Sequence, residues 1–105
     1  MPDEVDVIRW PEAQPPDEET LRQILAQEEL SAYRWGNAPG DTYAAHRHSY
    51  HKVIYVVSGS IEFGLPEIGS RIHLQPGDRL ELPAGVLHNA LVGPQGVRCL
   101  EAHRS

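Results

Sequence analysis

The chain has few of the features that mark several large classes of protein. It contains a single cysteine, Cys99, so it cannot form an internal disulfide and has no cysteine-based zinc motif. No apolar run approaches the roughly 18 residues needed to cross a bilayer, and the polar N-terminus lacks the apolar core of a signal peptide. The net charge is −6, without the basic stripe typical of nucleic-acid binding. We therefore expect a cytoplasmic protein with neither nucleic acid nor membrane among its partners.

The 105 residues are enough for one domain, and their patterning changes once along the chain. A short strand is predicted at Val5–Trp10, and a helix of about three turns is predicted to begin near Asp17, where acidic residues favour a helix N-terminus. We expect residues 1–30 to form a strand and a helix that pack on the outside of a barrel formed by residues 31–105.

After residue 31 the helical period disappears, and short β-type runs are separated by glycine, proline and asparagine. The sequence predicts eight strands, at Ala32–Trp35, Tyr43–His48, Lys52–Val57, Ser60–Phe63, Arg71–Leu74, Arg79–Leu82, Leu87–Val92 and Val97–Ala102. Short strands without intervening helices indicate a closed barrel or jelly roll. The fold class is therefore all-β, with one short N-terminal helix.

Three histidines carry the strongest chemical signal in the chain. His46 and His48 are two positions apart, so their side chains would share one face of a strand. His88 follows a predicted turn some forty residues later. Imidazole is the commonest protein ligand of transition metals, and three protein ligands with an open position are typical of catalytic metal sites. The joint spacing predicts a metal site at these three residues.

The same residues lie in two segments that resemble the cupin motifs. Gly40-(five residues)-His46-Arg47-His48-(three residues)-Lys52-(six residues)-Gly59 is similar to the first motif. Gly77-(five residues)-Pro83-Ala84-Gly85-Val86-Leu87-His88 is similar to the second. The resemblance implies a double-stranded β-helix, the cupin form of the jelly-roll barrel. It also implies a homodimer, because small cupins commonly pair, and the alternating segment Val5–Ile8 could add a strand to a partner.

Two positions depart from the family pattern. Lys52 stands where the first motif has a glutamate, and Val92 stands where the second has an asparagine. The glutamate is the anionic ligand of the family's metal site, and a protonated lysine beside a divalent cation is repelled unless its pKa is strongly lowered. The usual set of histidines plus carboxylate is therefore not available in this chain.

Three interpretations of the site follow from the sequence. In the first, His46, His48 and His88 bind an ion together with water. In the second, His51 is a fourth ligand, which requires a bulge or turn before it, because strict alternation places it on the face opposite His48. In the third, the site holds no metal, and Lys52 points outward or pairs with a carboxylate. An all-nitrogen ligand set favours zinc, nickel, iron or copper over magnesium and calcium, and manganese is included among the candidate divalent metals.

Some other residues have less specific expectations. Cys99 is expected to be a buried core residue, and Trp35 is expected to pack between the N-terminal segment and the barrel. Glu62 and Glu81 alternate with apolar neighbours and should face solvent, although either one turned inward would supply the missing carboxylate. His103, near the chain end, is assigned no role.

The resemblance does not select one activity, since cupins include dioxygenases, isomerases, decarboxylases, sugar-binding domains and storage proteins. Three classes stay open: a small metal-dependent enzyme, a non-catalytic binding or sensing module, and a structural oligomeric barrel. The missing glutamate argues against an iron oxygenase, because the set of histidines and carboxylate that supports iron(II) chemistry is incomplete. The sequence favours a metal-binding cupin that binds or acts on a small organic molecule in its cavity through the three histidines. The alternative is a metal-free binding or sensing barrel.

Overall fold

The protein is built almost entirely of antiparallel strands, as the sequence predicts. A computed structural model describes residues 4–104. Its elements, in chain order, are β1 (Asp6–Ile8), α1 (Glu18–Gln27), β2 (Tyr33–Asn37), β3 (Thr42–His46), β4 (His51–Leu65), β5 (Ser70–Leu74), β6 (Arg79–Leu82) and β7 (His88–Arg104). The all-β class with one short helix is confirmed.

The helix α1 begins where its capping residue predicts. The side chain of Asp17 accepts a hydrogen bond from the backbone N–H of Thr20, which satisfies one of the free donors of the first turn. Leu21 and Leu25 are fully buried and pack against Val53, Tyr55 and Leu100 on the outer face of the sheet. Within residues 4–104, no helix is long and apolar enough to cross a membrane.

The two longest strands each replace two of the strands that the sequence predicts. β4 continues through Ser58 and Gly59, and β7 continues through residues 93–96, so each predicted break is in fact a pairing irregularity within one strand. At Gly59 φ is +76°, and an added Cβ would lie 2.0 Å from the carbonyl oxygen of Gly96. The glycines therefore allow a close approach of two long strands instead of ending them.

The strands form one highly curved sheet with a core on its inner face. The strand order is β1-β6-β4-β7-β2, with β3 added on β7 and β5 on β4. Alternation along β4 turns Ile54 and Val56 into the barrel and Val53 and Tyr55 outward beneath α1. Cys99 is fully buried in the inner core, as expected, and burial raises the pKa of its thiol to about 12.

The N-terminal strand pairs within its own chain. β1 lies antiparallel to β6, with Asp6 opposite Glu81 and Ile8 opposite Arg79. The segment that the sequence marks as able to join a partner therefore occupies an edge of this chain's own sheet.

Candidate metal centre and cavity

Three histidines from the two motifs meet at one end of the barrel. His46, the last residue of β3, is directly paired with His88, the first residue of β7. His48 lies just beyond β3, which ends two residues earlier than predicted. The ring centroids are 4.7 Å apart for His46 and His48, 4.4 Å for His46 and His88, and 5.3 Å for His48 and His88. One ligand nitrogen from each ring lies within 4.8 Å of the others.

Backbone carbonyls orient two of these rings. Nδ1 of His46 is 2.7 Å from the carbonyl oxygen of Ala44, and Nδ1 of His88 is 2.9 Å from that of Val86. A carbonyl can only accept, so each Nδ1 carries the hydrogen, and in the neutral ring Nε2 keeps its lone pair. Histidines that ligate metals are commonly held in this way.

The remaining nitrogens fit a metal ion. Within residues 4–104, the Nε2 atoms of His48 and His88 are buried and have no hydrogen-bond partner. Burial lowers the pKa of both imidazoles, and the positive charge of Lys52 contributes to the lowering. The rings are therefore held in the neutral form, in which a nitrogen can bind an ion. Buried polar atoms without partners are rare in folded proteins, and a cation would satisfy these two.

The turn of the second motif also forms hydrogen bonds with the loop that carries His48. The N–H of Gly85 donates to the carbonyl oxygen of His48 at 2.8 Å. Arg47, facing the other way, donates to the carbonyl oxygen of Gly85 at 3.0 Å and forms an ion pair with Glu67. Gly85 has a φ of +83°, which favours glycine at this turn. These contacts join the His48 loop to the turn that precedes His88.

His51, the possible fourth ligand, does not join the cluster. It begins β4, where alternation turns it to the outer face with Val53. There its Nε2 lies 2.6 Å from Oε1 of Glu81. Glu81 also accepts from Arg79 at 2.7 Å, so it points outward as expected but is largely covered. Glu62 faces outward too, where it pairs with Arg71.

Lys52 faces the cavity, where the family places a carboxylate. Its Nζ lies 3.5 Å from Oε2 of Glu101, and the two side chains are 14% and 3% exposed. The strand register explains the pair: Lys52 is opposite His103 and Glu101 is opposite Ile54, so all four side chains share the inner face. Lys52 therefore pairs with a carboxylate and does not point outward.

Glu101 is the centre of a polar network that sequence reasoning missed. It accepts hydrogen bonds from Trp35 Nε1 at 2.9 Å and from the Tyr33 hydroxyl at 2.7 Å, and it lies 2.7 Å from Nε2 of His103. Burial acts to raise the pKa of Glu101, but the contacts with His103 and Tyr33 and the charge of Lys52 outweigh it, and the pKa lies below its usual value. The available signal was one acidic residue in the apolar run from 99 to 102.

Two expectations about this network need correction. Trp35 lines the cavity and donates to Glu101, whereas the sequence suggested packing beneath the N-terminal segment. His103 was assigned no role, but it lies in β7, where it contacts Glu101 and its ring packs 4.1 Å from that of Tyr50. Both side chains contact Glu101 because the long strand β7 pairs with β2 and β4 along its length.

The histidines and the Glu101 network line one cavity of about 340 Å³. Its wall is rich in aromatic rings. Tyr50 stacks on His48 with centroids 4.9 Å apart, and Trp35 meets Tyr43 edge to face. The full lining comprises Tyr33, Trp35, Tyr43, His46, His48, Tyr50, Lys52, Ile54, Ile61, Phe63, His88, Ala90 and Glu101. Apolar walls with a few convergent polar groups are typical of sites for small molecules.

Comparisons with known proteins agree with this architecture. A search of curated proteins found no match. Among solved structures, a DUF861 family protein from Thermotoga maritima superposes with a TM-score of 0.63 at 19% identity, covering 96% of this chain and 100% of that one. The DMSP lyase DddQ from Ruegeria pomeroyi gives 0.65 at 26% identity, covering 72% and 38%. The polyketide cyclase RemF from Streptomyces resistomycificus gives 0.62 at 28% identity, covering 70% and 54%.

The family model of the cupin domain matches residues 34–102. This range includes both histidine motifs, every residue that lines the cavity except Tyr33, and every strand from β3 to β6. The chain belongs to the cupin family.

Proposed function

We propose that His46, His48 and His88 bind a divalent transition metal and that the adjoining cavity binds a small organic molecule. The observation that carries the proposal is the pair of buried, unpartnered Nε2 atoms of His48 and His88, in a group where His46, His48 and His88 each bring one ligand nitrogen within 4.8 Å of the others. A cation explains why polar atoms are buried there without partners.

The donor set narrows the choice of metal. Three neutral imidazoles favour zinc, nickel, iron or copper over ions that prefer oxygen ligands, and manganese is tested beside them. Such a metal, when bound, supplies a Lewis acid beside the cavity. The protein's own residues hold the ligand nitrogens in place, and the aromatic wall surrounds the organic molecule.

The type of reaction does not follow from the fold. Two of the matched structures are enzymes by name, a lyase and a cyclase, and this chain spans only 38% and 54% of them. One fold hosts many chemistries, so neither activity is transferred. A three-histidine set with room for further ligands next to a cavity favours an enzyme over a pure binding protein.

A metal-free binding barrel is the second candidate, and Lys52 favours it. The ammonium group shares the cavity with the three histidines, and a fixed positive charge there opposes the binding of a divalent cation. In this alternative the cavity binds its ligand through the aromatic wall and the polar network alone.

Metal analysis tests the proposal directly. Protein purified without a histidine tag is reconstituted with each candidate metal, and bound metal is measured by elemental analysis. We expect about one equivalent in the wild type, and loss of most of it in His48→Ala and His88→Ala. His51→Ala and the exposed His73→Ala should retain it. Less than about a tenth of an equivalent of every metal in the wild type would favour the metal-free barrel.

We also propose a cytoplasmic homodimer. β1 lies at an edge of the sheet, and the side chain of Ile8 in this strand is exposed. A second copy could extend the sheet at this edge.

A further inference from the structure

Lys52 is the only lysine in the chain, and its amine lies in the cavity. The other eight basic side chains are arginines, and none of them lines the cavity. A lysine side chain is almost never buried unless it is paired. The low exposure of Lys52 therefore depends on its partner, Glu101.

The pair leaves Lys52 with unused donors. An ammonium group has three N–H donors, and its contact with Glu101 is long, at 3.5 Å. Both oxygens of Glu101 have closer partners: Trp35 on Oε1, and Tyr33 and His103 on Oε2. Glu101 therefore holds the Lys52 side chain in place but leaves N–H donors of its ammonium group without an acceptor among residues 4–104.

With a divalent ion bound, the net charge of the cavity favours an anion. Lys52 and Glu101 cancel in formal charge, and the three histidines are neutral as metal ligands. A divalent ion would thus give the cavity an excess positive charge that the family's glutamate would otherwise reduce. Without the ion, the nearest fixed cation with free donors is still Lys52.

We propose that Lys52 is a specificity-determining residue that binds the carboxylate of a small, flat organic acid. The acid's apolar body would lie against the aromatic wall formed by Trp35, Tyr43, Tyr50 and Phe63. One lysine suits a monoanionic carboxylate better than a phosphate, which usually takes several cationic or backbone donors. The inference rests on the proposed use of the cavity for a small molecule, but it does not require the metal.

Ligand binding can be followed through Trp35, which lines the cavity. Trp10→Phe leaves Trp35 as the only tryptophan. In this background, benzoate is the probe, benzamide is its neutral isostere and inorganic phosphate is the competing anion. We expect benzoate to quench Trp35 fluorescence in a saturable way, at least about tenfold more tightly than benzamide or phosphate. Absence of saturable quenching, equal affinity for benzamide, or tighter binding of phosphate would overturn the proposal.

Variants of Lys52 separate its role from that of the metal. Lys52→Met should lose the preference for benzoate over benzamide, and Lys52→Arg should retain most of it. All forms are measured with metal and after chelation, with thermal melting as the check on folding. A preference that survives chelation and is lost in Lys52→Met supports the proposal even if no metal binds. A preference that is lost on chelation but unaffected in Lys52→Met would assign the carboxylate to the metal, and would overturn the proposal while the metal site stands.

Chemical modification gives a second test that does not depend on the variants. Reductive methylation of the wild type can modify only the Lys52 amine and the N-terminal amine. We expect benzoate to slow methylation of Lys52 at least about fivefold and benzamide to leave it unchanged, with the N-terminal amine as the internal control. Equal rates at Lys52 with and without benzoate would contradict binding at this residue.

Discussion

The ammonium of Lys52 and the carboxylate of Glu101 face each other across strands β4 and β7, 3.5 Å apart on the inner side of the barrel. The carboxylate that this chain has near its three histidines thus comes from the last strand, and not from the first motif. A cation occupies the motif position instead. This exchange sets the charge of the cavity.

Removing one charge of the pair formed by Lys52 and Glu101 should lower the free energy of unfolding. Glu101→Gln leaves a covered ammonium without its counter-charge, and we expect a loss of about 3 kcal/mol in the free energy of unfolding, measured by urea denaturation. With the single variant Lys52→Met completing the cycle, the double variant Lys52→Met/Glu101→Gln should recover part of that loss and give a coupling energy of at least about 1 kcal/mol. The exposed pair of Glu62 and Arg71 is the control, and Glu62→Gln should cost less than about 1 kcal/mol. Similar losses in Glu101→Gln and Glu62→Gln would contradict this prediction.

Placing a carboxylate at position 52 should strengthen metal binding. Lys52→Glu/Glu101→Gln replaces the cation with a carboxylate at the position where the family has its ligand, and removes the nearest like charge. We expect zinc affinity, measured by competition with a chromophoric chelator, to rise at least about tenfold over Lys52→Gln/Glu101→Gln. The neutral double variant controls for the loss of the lysine. Equal zinc affinity in the two double variants would show that the position no longer reaches the ion.

Acid should destabilise the protein partly through Glu28. Hydrogen bonds from Arg79, with a further contribution from Arg104, lower the pKa of Glu28 to about 2, against burial, which acts to raise it. A folded-state pKa below the ordinary value of 4.5 gives stability that is present above pH 4.5 and is lost as the pH falls toward 2. Glu28→Gln should therefore be less stable at neutral pH and show a shallower decline over this range.

The matched control for Glu28→Gln is Glu12→Gln, which changes an exposed carboxylate. Urea midpoints measured from pH 7 to pH 2 are the readout, and the Glu12→Gln profile should follow the wild type. If Glu28→Gln declined as steeply as the wild type between pH 4.5 and pH 2, the ion pair with Arg79 would not contribute to acid stability.

Gly59 should tolerate no side chain. Its φ is +76°, and a Cβ would lie 2.0 Å from the carbonyl oxygen of Gly96, so Gly59→Ala forces apart the two longest strands. We expect a loss of more than about 4 kcal/mol, seen as low soluble yield or a strongly reduced urea midpoint. Gly69→Ala has a similar φ of +71° with open space around the Cβ, and should cost only about 1 to 2 kcal/mol. Comparable losses at the two glycines would exclude the close strand approach as the cause.

Assembly through the β1 edge should depend on Ile8. We expect light scattering at micromolar concentration to give twice the 11.7 kDa mass of the chain. Ile8→Lys places a charge in the exposed edge strand and should shift the mass toward that of the monomer. Ile68→Lys changes an exposed residue in the β4–β5 turn and should have no effect. A wild-type mass near 11.7 kDa would exclude the dimer.

Much of the fold could be predicted from local pattern. The capping residue Asp17, the spacing of His46, His48 and His88, and the alternating runs each depend on a few neighbouring residues. The two predicted breaks at Gly59 and at residues 93–96 were wrong, because a glycine that ends a strand and a glycine that lets two strands approach look the same in one sequence. Only the partner strand distinguishes these cases.

The sequence by itself determined that three imidazoles would be available and that no glutamate would stand in the first motif, because both are matters of residue type and spacing. The tertiary structure decided where His51 and Glu101 point. Side chains alternate along a strand, so the start of β4 sets His51 against Glu81 outside the barrel. The register of β7 on β4 brings Glu101 to Lys52 inside it. Register joins residues far apart in the chain, and it is settled by burial of a whole strand face, not by any local motif.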